Sequence, residues 1–252
     1  MSTKFLEGKT ALVTGAAVRL GRATAVGLAS AGARLVIHYG RSAQAAQELA
    51  QEIAGNGTQA WPLQADLERA EELESLVPRA LELTGGLDIL VNNASIFPAD
   101  SLKELELGNV VHSIQVNAWA PFVLSRSFAQ YVERGRIVNF LDTRVAGYDW
   151  QHVSYIISKN VLALLTRMTA LELAPDIAVN AVAPGLILPP PGKDETHLEA
   201  LKHTVPLKRR GDAQGIVDAV LFLLKSDFVT GQVIYVDGGR HLMEYPSGSD
   251  PD

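Results

Sequence analysis

"TALVTGAAVRLGR", residues 10–22, decides how the rest of the chain is read. TALVTG (10–15) is an apolar run ending in a glycine, and a second glycine follows where an amphipathic pattern, GRATAVGLASAG, begins. Strand, glycine turn and helix in that order describe the start of a βαβ unit whose turn can receive a pyrophosphate. Gly15 permits the tight turn, and Gly21 lets backbone and helix end approach the phosphates. A glycine pair alone says little; its place between strand and helix points to a dinucleotide.

The alternation continues outward. RLVIHY (34–39), AWPLQADL (60–67), LDILVNNAS (87–95), RIVNFLDT (136–143), AVNAVAPG (178–185) and QVIYVDGG (232–239) are further strand candidates, separated by segments with helical periodicity. Runs that are apolar throughout imply burial on both faces and so a mostly parallel sheet. The expected fold is α/β, a single-domain Rossmann-type doubly wound sheet of about seven strands flanked by helices. No linker or repeat divides the chain, so one domain is read over 1–244. Within it, residues 186–210, with three consecutive prolines, look too polar and irregular for core and are read as a substrate lid. The tail 245–252 is expected to be flexible or to reach a neighbouring subunit.

Bulk composition narrows the function. Of the 252 residues 47% are hydrophobic and the net charge is -6, with no long basic run, which argues against nucleic acid or an anionic membrane as partner. The chain has no cysteine, which removes thiol catalysis and thiolate metal sites, and its six histidines lack HExxH spacing, so no metal is expected. No signal-type or membrane-spanning run is apparent, and a cytoplasmic location is the default.

The second strand selects the cofactor. An NAD site places an acid about 20 positions beyond the glycines to hold the ribose 2′-OH. Here the strand ends IHYGRS, with no acid from His38 to Ser42. Arg41 and Ser42, with Arg19 nearby, can clasp a 2′-phosphate instead, which favours NADP(H). The alternative for Arg41 is a solvated residue at a helix start. Asp66 can hold an adenine amino group or simply cap the next helix. In NNAS (92–95) the backbone must pass close to the cofactor, and one asparagine can serve only to pin adjacent strands.

Tyr155 and Lys159, four apart on a helix, share one face. An ammonium beside a phenol favours the phenolate, so Lys159 is expected to lower the Tyr155 pKa and make it a usable acid. Upstream lies Asp142, for which capping a helix or pairing with Arg144 is the plain alternative.

These motifs, with Asn117 in IQVNAWAPF, APG (183–185) and VDGG (236–239), resemble the short-chain dehydrogenase/reductase family over essentially the whole chain. The resemblance implies a Tyr–Lys–Asn centre with a fourth hydroxyl residue, Lys159 on the nicotinamide ribose, Asn117 behind a proton-relaying water, and a homotetramer or homodimer. Carried over residue by residue, it assigns the cofactor to Gly15, Arg19, Leu20 and Gly21, then His38, Tyr39, Arg41 and Ser42. It continues through Asp66 and Leu67, Asn93, Ala94 and Ser95, Tyr155 and Lys159, and Pro184, Gly185 and Leu186. Three departures agree: Arg19 in the glycine loop, HYGRS (38–42), and Asp142 in place of the usual serine. All are similar to the pteridine reductases, and the ending FVTGQVIYVDGGRHL resembles the dihydromonapterin reductases of that branch. The branch implies a pteridine substrate bound by Arg19, Ser95, Phe97, Asp142, Tyr155, Leu186 and Leu188, with Phe97 stacking on the ring. Ordinary loop packing is the alternative for Phe97.

The chemistry can be argued separately. An ionised carboxylate opposes the oxyanion of a ketone reduction, whereas reducing C=N delivers a proton to nitrogen. Burial is expected to raise the Asp142 pKa so that it can pass that proton on. A 3-oxoacyl-carrier-protein reductase is the nearest rival, with Lys202, Lys208, Arg209 and Arg210 as a basic face for an acidic carrier. A non-catalytic NADP(H) sensor is a further alternative, against which stand both Tyr155 and Lys159.

Overall fold

The computed structural model describes residues 4–190 and 192–243. The tail read as 245–252, and Pro191 of the proline run, lie outside the described residues. Seven strands form one parallel sheet in the order β3-β2-β1-β4-β5-β6-β7: β1 Thr10–Val13, β2 Arg34–Tyr39, β3 Ala60–Gln64, β4 Ile89–Asn92, β5 Gly135–Phe140, β6 Ile177–Pro184 and β7 Val233–Val236. Each expected strand is present. β3, an edge strand, tolerates Pro62 because only one of its sides is paired.

Strand pleating sends neighbours to opposite faces, and both faces are apolar. Val13, Ile37 and Val91 pack with Leu28 of α1 (Arg19–Ser30), Leu49 of α2 (Ala43–Gly55) and Val220 of the last long helix (Ala213–Lys225). Leu12, Val36 and Leu90 pack on the other side with Leu76 of α3 (Ala70–Thr84) and Phe128 of the helix Ala120–Tyr131. That is the physical content of strands hydrophobic at every position.

A long helical stretch follows β4: α4 (Leu107–Ile114), a π-turn over Gln115–Trp119, then α5 (Ala120–Tyr131). After β5 come a 3₁₀ turn (Thr143–Ala146) and α6 (Val153–Glu172). Residues 186–210, expected to be irregular, contain α7 (Glu195–Leu201) and a short 3₁₀ turn. Leu186, Leu198, Leu201 and Val205 form their own buried cluster there. The segment is therefore a small packed unit, not a bare loop. α8 (Ala213–Lys225) returns the chain to β7. Strand order reverses at β1 and β4, so the carboxyl ends of these strands open the crevice in which such sheets bind ligands.

Candidate active site

The glycine turn is built tightly enough that its glycines cannot be replaced freely. Gly15 has φ +61, and a Cβ on Gly21 would lie 2.2 Å from the Gly15 carbonyl oxygen and 2.5 Å from Asn93 Nδ2. Asn93 fastens the turn by donating to the carbonyls of Thr14 (2.9 Å) and Gly15 (3.2 Å). The Thr14 hydroxyl receives the backbone N–H groups of Asn93 and Ala94. His38 lies behind the turn, buried, with Nδ1 accepting from Gly15 N–H at 3.1 Å and Nε2 donating to the Ala65 carbonyl at 3.0 Å. The bond accepted at Nδ1 requires the neutral ring, and burial lowers its pKa to about 4. Among residues assigned to the cofactor, His38 thus shapes the turn from below.

Tyr39 is half-buried, while Arg41 and Ser42 are exposed and their side chains make no hydrogen bond or ion pair among the described residues, so they are free to receive an anion. Asp66 accepts from Glu68 N–H at 3.0 Å and so closes the turn before α3, with Leu67 buried beside it. The N-cap of α3 is Arg69, so Asp66 does not cap the helix as the plain reading expected but closes the turn that leads into it. At the end of β6, Pro184 and Gly185 are half-buried, and a Cβ on Gly185 would meet the Asp237 Cβ at 2.4 Å. Leu20 is half-buried against the core. Arg19, with φ +55, reaches across 170 positions to donate to the Pro189 carbonyl at 2.7 Å, joining the glycine turn to the lid segment. Leu186 faces the segment's own cluster, while Leu188 packs against the main core. A cradle that one added methyl group would fill, with two unpaired side-chain donors at the end of β2, fits a phosphorylated dinucleotide.

At the other end of the crevice α6 presents Tyr155 and Lys159 one turn apart. Tyr155 OH donates to Asp142 Oδ2 at 3.1 Å, and Lys159 Nζ donates to the Phe140 carbonyl at 2.8 Å. Burial brings Lys159 down to about 8, against the pull of Asp142. Burial and then the Asp142 charge push Tyr155 well above its ordinary value, although Arg144 acts the other way. The expected lowering by Lys159 fails for a spatial reason. Its ammonium lies 5.6 Å from the Tyr155 ring centre, whereas the carboxylate touches the hydroxyl.

Asp142 also departs from expectation. Burial pushes its carboxyl up, but the Arg144 charge and the hydrogen bonds from Arg144 and Tyr155 outweigh this and leave it below the usual range. Arg144 donates to Oδ1 through Nε at 3.0 Å and to Oδ2 through Nη2 at 3.2 Å, and its backbone N–H caps Oδ1 at 2.9 Å. Asp142 is therefore both the 3₁₀ cap and the Arg144 partner that the plain reading anticipated, and it bonds Tyr155 as well. It is held as an anion, not as the proton source expected.

Several participants were not singled out from the sequence. Arg144 Nη1 bonds Asp149, which also receives the backbone N–H of Gln151 (2.9 Å) and His152 (3.0 Å) and the His152 Nδ1 (3.1 Å). His152 stacks on Phe97 with centroids 3.9 Å apart, and Phe97 meets Tyr155 edge-on at 4.6 Å. An acid just before a helix, in DWQHVSY, was the available signal for Asp149. Thr143 donates to Asp237, which also accepts from the Gly239 and His241 N–H groups at 2.9 and 2.7 Å.

The π-turn carries Asn117, which is fully buried. Asn117 Oδ1 accepts from Ser95 Oγ and Ile96 N–H, and Nδ2 donates to the Ile96 carbonyl and Ser158 Oγ. It thereby joins the loop carrying Phe97 to α6. Asn92 performs the strand-pinning task, donating to Asn139 Oδ1 at 2.8 Å.

The family profile described as enoyl-(acyl carrier protein) reductase matches residues 15–241. A short-chain type dehydrogenase/reductase of Picea abies is 33% identical, over 93% of each chain. The chain belongs to the short-chain dehydrogenase/reductase family. Among other members, a 3-oxoacyl-[acyl-carrier-protein] reductase of Synechocystis sp. is 32% identical over 93% of this chain and 97% of its own. The solved structure of FolM alternative dihydrofolate reductase 1 from Brucella suis, in complex with NADP, superposes with a TM-score of 0.90. It is 34% identical, over 95% of this chain and 97% of that one. As a member of this family the chain is an NADPH-dependent oxidoreductase.

Proposed function

We propose that this short-chain reductase uses NADPH to reduce a pteridine, taking a dihydropterin such as dihydrobiopterin, dihydromonapterin or dihydrofolate to its tetrahydro form, with the fully oxidised pterin as a further candidate substrate. When bound, NADPH would supply the hydride. Gly15, Gly21, Arg41 and Ser42 would hold it, the last two at a 2′-phosphate.

The observation that carries the substrate reading is the ionised Asp142 in contact with the Tyr155 hydroxyl. A carboxylate there opposes an alkoxide developing on a ketone but tolerates protonation of a ring nitrogen. Phe97, edge-on to Tyr155, adds an aromatic wall suited to a flat ring. Likeness to the Brucella FolM structure supports the same substrate class.

The rival, reduction of a 3-oxoacyl chain on a carrier protein, draws support from relatives such as the Synechocystis enzyme. Its docking face is weakened by local pairing. Lys202 pairs with Glu199, Arg210 with Glu195, and Lys208 donates to the His203 carbonyl. Residues 186–210 act as the lid of the site, with Arg19 as their link to the cofactor turn. A homotetramer or homodimer is the expected assembly. Exposed Leu107 and Val111 on α4, with Leu164, Met168 and Leu171 on α6, offer apolar surface for it.

NADPH oxidation with dihydrobiopterin, dihydromonapterin and dihydrofolate, compared with an acetoacetyl thioester, tests the reading. Turnover of the thioester alone would replace it with the carbonyl reductase, and no turnover of any would favour the sensor. Asp142→Ser should lose pterin turnover while keeping NADPH binding.

A further inference from the structure

Arg144 belongs to none of the motifs that place the chain in its family, yet it makes more contacts with the reactive groups than Lys159 does. Two of its guanidinium nitrogens hold both oxygens of Asp142, at 3.0 and 3.2 Å, and the third bonds Asp149. Its charged carbon lies 5.4 Å from the Phe97 ring centre. With the Arg144 backbone N–H and the Tyr155 hydroxyl, Asp142 receives four donors. A neutral acid would turn its own O–H against one of them. Asp149 is itself saturated by Arg144, two backbone N–H groups and His152, so the guanidinium is held from behind.

We propose that Arg144 is a positioning residue of the catalytic centre: it fixes Asp142 as an anionic acceptor, turned to Tyr155 and to an N–H edge of the substrate, so that Tyr155 is the only proton donor. The substrate part of this rests on the pteridine reading. At the protein the step is a proton transfer. The Tyr155 O–H bond breaks, an N–H bond forms at the ring nitrogen that has become basic on hydride addition, and solvent returns a proton to the phenolate. Asp142 keeps its charge throughout. An N–H donor edge then satisfies the carboxylate when Tyr155 gives up its proton, which a simple ketone cannot do.

The charged and titratable groups around Asp142 come from three directions. Arg144 and Asp149 lie on its own loop, with His152 at the loop's end, and Tyr155 and Lys159 on α6. Asp237, paired with His241, stands behind Thr143 in the turn after β7. Removing Arg144 leaves Lys159 as the cation on the site side, already committed to the Phe140 carbonyl.

The test is ¹³C NMR of aspartate carboxyls in the ligand-free protein, with Asp142→Asn identifying the signal, from about pH 8 down to about pH 4. The wild-type signal should remain that of the anion to the bottom of this range. In Arg144→Gln its midpoint should rise by about one unit or more. Arg144→Lys keeps a charge but loses the two-pronged grip, so it should shift less, and it serves if the glutamine variant does not fold. Equal midpoints in folded wild type and variant would overturn the proposal. With dihydropterin, Arg144→Gln should lower kcat about tenfold or more and add an acid limb to the kcat profile, with KM changing less. A uniform loss with an unchanged profile would mark Arg144 as merely structural. If wild type reduces no pterin, the substrate reading fails, while the carboxyl titration still decides the role of Arg144.

Discussion

The Tyr155 hydroxyl donates to the Asp142 carboxylate across 3.1 Å, so the proposed proton donor of this reductase rests against an anion. Such a neighbour keeps the phenol protonated and aims its hydrogen away from the substrate until a competing acceptor arrives. In the resting protein Tyr155 is a loaded acid. On the pteridine reading, its proton becomes transferable only as negative charge develops on the substrate nitrogen.

Replacing Tyr155 with phenylalanine should therefore remove turnover and spare the cofactor. A loss of about 10²- to 10⁴-fold in kcat is expected, the range for a general acid. Fluorescence titration with NADPH should give nearly unchanged affinity. A variant retaining most of its kcat would exclude Tyr155 as the donor.

Lys159 should impose the alkaline limit. Its buried ammonium is lowered to about 8, so it is charged below that pH and neutral above it. Loss of the positive charge leaves the Asp142 anion less balanced and weakens the donation to the Phe140 carbonyl, and kcat should decline as pH rises through about 8. Lys159→Met should be slow at every pH and lack this limb. A flat wild-type profile through that region would count against the assignment.

His38 should make the protein sensitive to acid. Its pKa is depressed in the folded state to about 4, from 6.5. As pH falls below 6.5 the unfolded chain takes up a proton that the native chain refuses, so stability is lost until about pH 4. At about 1.4 kcal/mol per pKa unit, the loss amounts to about 3 kcal/mol. Urea unfolding across this window should show the slope, and His38→Gln should flatten it.

Gly21→Ala places a methyl group 2.2 Å from the Gly15 carbonyl. The backbone must yield, and overpacking of this kind costs about 1–3 kcal/mol. NADPH affinity should fall by about tenfold or more, with a lower Tm. Isothermal titration and thermal unfolding read both, and unchanged binding would show that the turn is more pliable than its spacing implies.

How much of this was legible beforehand follows the range of each interaction. Seven strands, the glycine turn and the Tyr155–Lys159 pair are written in local patterns of period 2 and about 3.6, which a linear reading can see. The π-turn at Gln115–Trp119 sits inside an ordinary helical pattern and leaves no such trace. α7 was hidden because its apolar partners, Leu186 and Val205, flank it in a segment rich in proline and charge. The proton chemistry of Asp142 and Tyr155 was misjudged for a related reason. Sequence spacing placed Lys159 beside the phenol, but distance places Asp142 there, and only the folded loop brings Arg144 onto both carboxylate oxygens.

The bond from Thr143 to Asp237 spans 94 positions and joins the residue next to Asp142 to the turn that follows β7. A ribosome therefore releases the nucleotide-binding half long before the reactive loop can settle. While residues around 237 are still inside the exit tunnel, a nascent chain can fold its first strands and glycine turn but has nothing to anchor Thr143. Catalytic competence therefore waits until the residues around 237 have left the tunnel.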